Sequence, residues 1–242
     1  MILEIAANSV ASALAAQEGG AGRVELCTAL EAGGLTPSYA QIAMAREKLT
    51  IPLYVLIRPR AGDFLYSDLE FETMRRDIEA CVQAGCDGVV FGALDADGNV
   101  DLPRCRLLMA AAGSIGVTFH RAFDLVRDPM SALEDVIALG CERVLTSGAQ
   151  ANALEGAALI RQLVELSAGR IVVMPGAGVD ARNIGELLSI TGAREFHASA
   201  RQREPSGMRW RSSLFKDMQD GETRSGCEQI RSISGALKGP SH

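Results

Sequence analysis

Val117-Thr118-Phe119-His120-Arg121-Ala122-Phe123-Asp124 places a strand, a polar cluster and the approach to a helix within eight residues. Ile115 to Phe119, around Gly116, reads as a buried strand. His120, Arg121 and Asp124 follow at once, and Asp128-Pro129 reads as an N-cap and a first helical residue. In parallel α/β sheets and barrels, chemistry collects where strands end and helices begin.

The same grammar recurs along the chain. Strands are expected at Ile2 to Ala6, Arg23 to Cys27, Leu53 to Arg58, Gly88 to Phe91, Ile115 to Phe119, Arg143 to Thr146, Ile171 to Met174 and Arg194 to His197. Helices are expected between them. Asn8 or Ser9 caps the first, Thr36-Pro37 opens the second, and Ser67 with Glu70 forms a capping box for the third. Later helices start near Asp101, at Pro129, near Asn152 and after an Asp180 cap. Beneath this lies a repeat. Gly20-Ala21-Gly22-Arg23-Val24-Glu25-Leu26-Cys27 aligns with stretches opening at Gly85, Gly140 and Gly192, which are 65, 55 and 52 residues apart. Each copy falls on an even-numbered strand, so one unit is two strand–helix pairs and four units make eight. That is the arithmetic of a (β/α)8 TIM-type barrel, an α/β single domain over residues 1–200. Residues 201–242 are rich in Ser, Gly and Arg. They read as a partly mobile tail that closes over the barrel or meets a neighbouring subunit, with one helix from Glu228 to Leu237.

Composition narrows the function. A 48% hydrophobic share supports a sizeable core, and the net charge of −6 argues against a general nucleic-acid binder. No apolar run reaches membrane-spanning length, and Met1-Ile2-Leu3-Glu4 is not a signal peptide. The six cysteines form no C-x-x-C pair, which points to reduced thiols and a cytoplasmic protein. Asp95-Ala96-Asp97-Gly98-Asn99 begins like a calcium loop. However, Val100 stands where Gly is needed and Arg106 where Glu is needed, so Asp101 reads as a helix cap instead.

Period-two alternation puts Glu25 and Cys27 on one strand face, with His197 and Ser199 at the equivalent repeat positions, while Glu4, Arg58 and His120 sit at or near the ends of odd strands. If these faces point inward, two carboxylates, a guanidinium and two imidazoles converge on one end of the barrel. One reading is an ion-pair plug of Glu4, Glu25 and Arg58. The other is an active site with His120 as general acid or base and Glu4 or Glu25 as its partner. The turn Pro175-Gly176-Ala177-Gly178-Val179, together with Ser199, suits an anion, because glycine lets backbone N–H groups approach an oxyanion. Arg58 and Arg60 could clamp a carboxylate or phosphate, or Arg60 could pair with Asp63. Cys27 is the one cysteine at the presumed reactive rim, and a thiolate there suits a soft metal such as Cu(I).

These residues resemble the CutC copper homeostasis family. The likeness is carried by Arg23-Val24-Glu25-Leu26-Cys27, Gly33 to Ser38, Ile57 to Phe64, Tyr66-Ser67-Asp68, Val117 to Asp124, Arg143 to Gly148, Pro175 to Val179, Glu195 to Ala200 and, more loosely, Gly207-Met208-Arg209. The resemblance implies a TIM-type barrel, a cytoplasmic location and a homodimer or homotetramer. It also implies Cu(I) held by cysteines at the ends of the first two strands. Here Ala6 stands at the first of those places and Cys27 at the second. The alternative is a barrel enzyme acting on a small phosphorylated or carboxylated metabolite.

Overall fold

The computed structural model describes residues 1–214 and 220–238. Eight parallel strands alternate with helices: β1 (Ile2–Ala7), β2 (Arg23–Leu26), β3 (Leu53–Leu56), β4 (Gly88–Phe91), β5 (Gly116–Phe119), β6 (Arg143–Thr146), β7 (Val172–Pro175) and β8 (Glu195–Ala198). Their order is β7-β6-β5-β4-β3-β2-β1-β8, and the two end strands approach each other to leave one nearly closed barrel. The intervening helices are α1 (Val10–Glu18), α2 (Tyr39–Lys48), α3 (Asp68–Gln83), α4 (Leu102–Ala112), α5 (Pro129–Leu139), α6 (Ala157–Ser167) and α7 (Ile184–Thr191). Among the described residues no helix is long and apolar enough to cross a membrane.

Alternation along each strand sorts the core into two layers. Leu3, Ile5, Val24, Leu26, Val89, Phe91, Val117, Phe119, Val144 and Phe196 face outward and pack beneath the helices in the main apolar cluster. Inside the cylinder the apolar cluster is small, comprising Ala6, Cys27, Leu30, Tyr54, Leu56 and Val90. Leu145 and Met174 also face inward, and most of the other inward positions are polar or glycine.

Several helix starts differ from the sequence reading. Ser9 caps α1, and the Ser67–Glu70 capping box and the Asp101 and Asp128 caps form. The second helix opens later than Thr36-Pro37, behind Ser38, whose hydroxyl and the Gln41 side chain make their own capping box. Thr36 instead pairs with the chain after β3. Its N–H donates to the Arg58 carbonyl at 3.0 Å, and its hydroxyl accepts the Arg58 N–H at 2.8 Å. Asn152 lies in a turn ahead of α6, bonded to Glu155, and the helix starts at Ala157 behind Gly156, whose backbone passes Gly148 too closely for a side chain at either position. Asp180 closes a short turn onto the Arg182 N–H, so α7 starts at Ile184.

The tail contains a hairpin as well as the expected helix. β9 (Arg201–Glu204) pairs antiparallel with β10 (Glu222–Ser225), and α8 spans Cys227–Lys238. Both return to this chain's own barrel. The Ser225 hydroxyl donates to the Ala6 carbonyl at 2.9 Å, and Ile230 of α8 packs on Gly19 so closely that a Cβ there would lie 2.6 Å away. Residues 215–219 and 239–242 of the expected tail lie outside the described residues.

Candidate functional site

The inward positions form stacked layers, and the lowest is ionic. Arg23 on β2 bonds Glu4 on β1 through Nε and Glu195 on β8 through Nη2 at 2.6 Å. Arg143 on β6 reaches the same Glu195 oxygen at 3.2 Å and Glu142 at 2.9 Å. The Tyr54 ring lies beneath both guanidinium groups, 5.3 and 5.0 Å from their central carbons. It occupies space that exists because β4 and β5 carry Gly88 and Gly116 at this level; a Cβ at either glycine would overlap the phenol. Arg23, Glu4, Glu195 and Arg143 are all buried. Buried charges of this kind need partners, and here each has one. The ionic plug is therefore real, but its members are Glu4, Arg23, Glu195 and Arg143. Arg58 is not among them.

His197 stands on this layer. Its Nδ1 lies 2.7 Å from Glu4 Oε1, and its Nε2 lies 3.4 Å from Glu25 Oε2. Burial pulls the Glu4 carboxyl upward, but the Arg23 charge and then His197 outweigh it and hold it at about 2. Glu4 is thus an ionised acceptor, and His197 Nδ1–H donates to it. Glu25 shows the opposite balance. Burial outweighs the attraction of His197 and, with the Glu4 charge adding, lifts the carboxyl to about 7. Burial would lower the His197 pKa, but Glu25 and then Glu4 raise it above the usual imidazole value. Glu4, Glu25 and His197 also bring three ligand atoms within 4.8 Å of one another, a geometry that could hold a cation.

Above them a cavity of about 490 Å³ opens at the C-terminal ends of the strands. Glu25, His197, Cys27, Arg58, His120, Gly178 and Ser199 line it, so residues distant in the chain meet there. Glu4 lies beneath, fully buried. Gly176 packs behind the wall, where a Cβ would overlap Leu145. Arg60 is elsewhere: it bonds Glu70 at 2.6 Å and Asp63 at 2.9 Å on the outer side of the loop after β3. Arg58 lines the cavity but donates to the carbonyls of Ala32, Gly34 and Gly62 at 3.0, 3.1 and 2.8 Å, so it ties two loops together and does not clamp from an open position.

His120 is the unusual group. Its Nδ1 accepts the Ala122 N–H at 3.2 Å, and its ring lies against Gly92, where a Cβ would come within 2.7 Å. Phe64 stacks on it at 4.8 Å between ring centres. Burial, reinforced by the Arg58 charge, lowers its pKa to about 3, so the ring stays neutral at ordinary pH. With Nδ1 accepting, the proton resides on Nε2, and Nε2 has no partner although it is buried. Cys27 is the one cysteine of the six at the cavity. Burial, with the Glu25 charge adding, pushes its thiol well above the ordinary range.

The family model of the CutC family matches residues 1–202. This chain belongs to the CutC family. A CutC family protein of Xanthomonas campestris pv. campestris (strain B100) is 58% identical over 233 residues, 96% of this chain and 97% of the relative. The copper homeostasis protein cutC homolog of Homo sapiens is 52% identical over 212 residues, covering 88% of this chain and 78% of its own. Among solved structures, CutC of Streptococcus agalactiae superposes with a TM-score of 0.78 at 34% identity, over 81% of this chain and 98% of that one. Within this CutC barrel, Ala6 and Cys27 share the inner apolar cluster, so the first two strands bring one sulfur to the cavity.

Sequence reasoning missed Arg23, Arg143 and Glu195. The signal was present in the repeat. Its fourth position carries Arg23, Gly88, Arg143 and Glu195, its sixth Glu25, Val90, Leu145 and His197, and its eighth Cys27, Gly92, Ser147 and Ser199. Alternation makes all three positions inward-facing.

Proposed function

We propose that this chain handles copper as a cytoplasmic Cu(I)-binding protein, with Cys27 meeting the metal at the barrel mouth. The observation that carries this reading is the placement of Cys27, the one cysteine of six on the cavity wall. The name of the human relative supplies the copper context. A thiolate is a soft ligand suited to Cu(I), and Cu(I) favours more than one soft donor. The wall offers one sulfur, and Met174 deeper in the barrel already receives an Arg23 N–H at 3.4 Å. The two-cysteine pattern therefore does not fit this chain. The cavity is far larger than an ion, and copper is read here as cargo that enters with a second ligand of its own. Free thiols at all six cysteines accord with a reducing compartment. The exposed Met208, Trp210 and Leu214 in the tail accord with a homodimer or homotetramer, which sedimentation would measure.

The test is titration of reduced protein with Cu(I) against a competing chelator. The expected result is binding that Cys27→Ala abolishes and that tightens as pH rises, because the buried thiol must release its proton. Unchanged affinity in Cys27→Ala would overturn the assignment.

A further inference from the structure

We infer that the mouth cavity is also an acid–base site that enolises a small carbonyl compound carrying an anionic group, with Glu25 taking the proton and His120 Nε2–H receiving the charge on oxygen. This goes beyond the copper reading and does not depend on it.

Three observations converge. The first is the orphaned donor: His120 Nε2–H is buried, without partner, and belongs to a ring on the cavity wall. An unsatisfied buried donor is costly unless a ligand supplies the acceptor. Its tautomer is fixed by the Ala122 N–H on Nδ1, so the group presents a neutral hydrogen-bond donor whose proton stays in place during turnover. The second is the chain Arg23–Glu4–His197–Glu25, which ends at the cavity. Arg23 fixes Glu4, Glu4 fixes the His197 ring, and His197 Nε2 faces Glu25. His197 is therefore a positioning residue, and Glu25 is the carboxylate that a ligand meets. Glu4 cannot serve, since it is buried below the cavity. The third is charge: Arg58, Arg121 and Arg201 share a wall whose one acidic residue is Glu25. Arg121 is held there by Asp124 at 2.7 Å and Ser147 at 3.0 Å, and Arg201 is anchored on the Leu30 carbonyl at 3.0 Å. With Arg121 balanced by Asp124, Arg58 and Arg201 still outnumber Glu25 on the wall, and that excess of positive charge beside a glycine turn favours a phosphate or carboxylate substituent.

The chemistry balances without an oxidant or co-reactant. The C–H bond next to the carbonyl breaks and its proton goes to Glu25. The C–H electron pair becomes the carbon–carbon double bond, and the carbonyl π pair moves onto oxygen, where His120 Nε2–H stabilises the enolate. Glu25 exchanges that proton with solvent and returns a solvent-derived one to the same carbon. The double-bond pair forms the new C–H bond, the oxygen pair restores the carbonyl, and the net result is exchange.

The experiment uses the full chain, treated with a chelator so that a failed copper reading leaves it intact. Dihydroxyacetone phosphate and hydroxypyruvate, which span the phosphate and carboxylate cases, are incubated with it in heavy water. Deuterium at the hydroxymethyl carbon is followed by proton NMR. The expected result is exchange above the buffer rate with at least one probe, falling about 100-fold or more in Glu25→Gln and in His120→Gln. Nitrogen-15 NMR of the wild-type chain should show His120 protonated at Nε2 and bare at Nδ1. Absence of exchange with both probes, wild-type exchange in Glu25→Gln, or a proton on His120 Nδ1 would each overturn the proposal.

Discussion

Glu4 holds His197 and Arg23 at once: one carboxylate oxygen lies 2.7 Å from His197 Nδ1, and the other accepts from Arg23 Nε. A single buried anion thereby joins the ionic floor of the barrel to the acid–base groups of its mouth. The His197 tautomer, and through it the surroundings of Glu25, are set one layer below the cavity.

Glu4→Gln removes that anion while keeping the shape. The Arg23 charge then loses one of its two counter-charges, and His197 loses a charged acceptor. The expected outcome is a loss of roughly 3–5 kcal/mol in urea unfolding, as for other buried pairs deprived of one partner. The His197 pKa, read by NMR titration, should fall in the same variant, because Glu4 is one of the two charges that raise it. An unchanged His197 titration would show that the contact does not persist in solution.

Gly88→Ala tests the floor. The added methyl would overlap the Tyr54 ring, which is wedged beneath two guanidinium groups and cannot swing aside cheaply. Overpacking of this kind costs on the order of 1–3 kcal/mol. The same substitution in a Tyr54→Leu background should cost measurably less, since the clashing ring is gone. Equal losses in both backgrounds would place the strain elsewhere.

His120 gives a pH signature. Its folded pKa, about 3, lies below the ordinary value of 6.5, so between those limits the unfolded chain binds the proton that the folded chain refuses. Its neutral form therefore contributes stability that is fully present above pH 6.5 and is lost as pH falls toward 3. Unfolding free energy measured across that window should decline less steeply in His120→Gln than in the wild type. Parallel pH profiles for the two proteins would contradict a buried neutral ring.

The eightfold alternation and the repeat made the barrel legible, because helix-stopping glycines and alternating strands are local features. Glu25, His120 and His197 were legible as inward residues near strand ends for the same reason. The partners that define their chemistry were not. Whether Glu4 meets Arg23 or Arg58 depends on barrel stagger, which no local pattern encodes. Arg58 looked like a clamp in the sequence, yet its N–H groups go to loop carbonyls whose positions only the closed fold supplies. Asp180 looked like a helix cap because a cap and an Asx turn use the same carboxylate-to-backbone bond two or three residues on.

The ring of Tyr54, laid across two glycines and under two arginines, fills the barrel on the side of the ionic floor away from the mouth. An occupant that enters by the mouth must depart by the mouth. Arrivals and departures therefore queue at one threshold, and a spent ligand delays its successor by competing for the same passage.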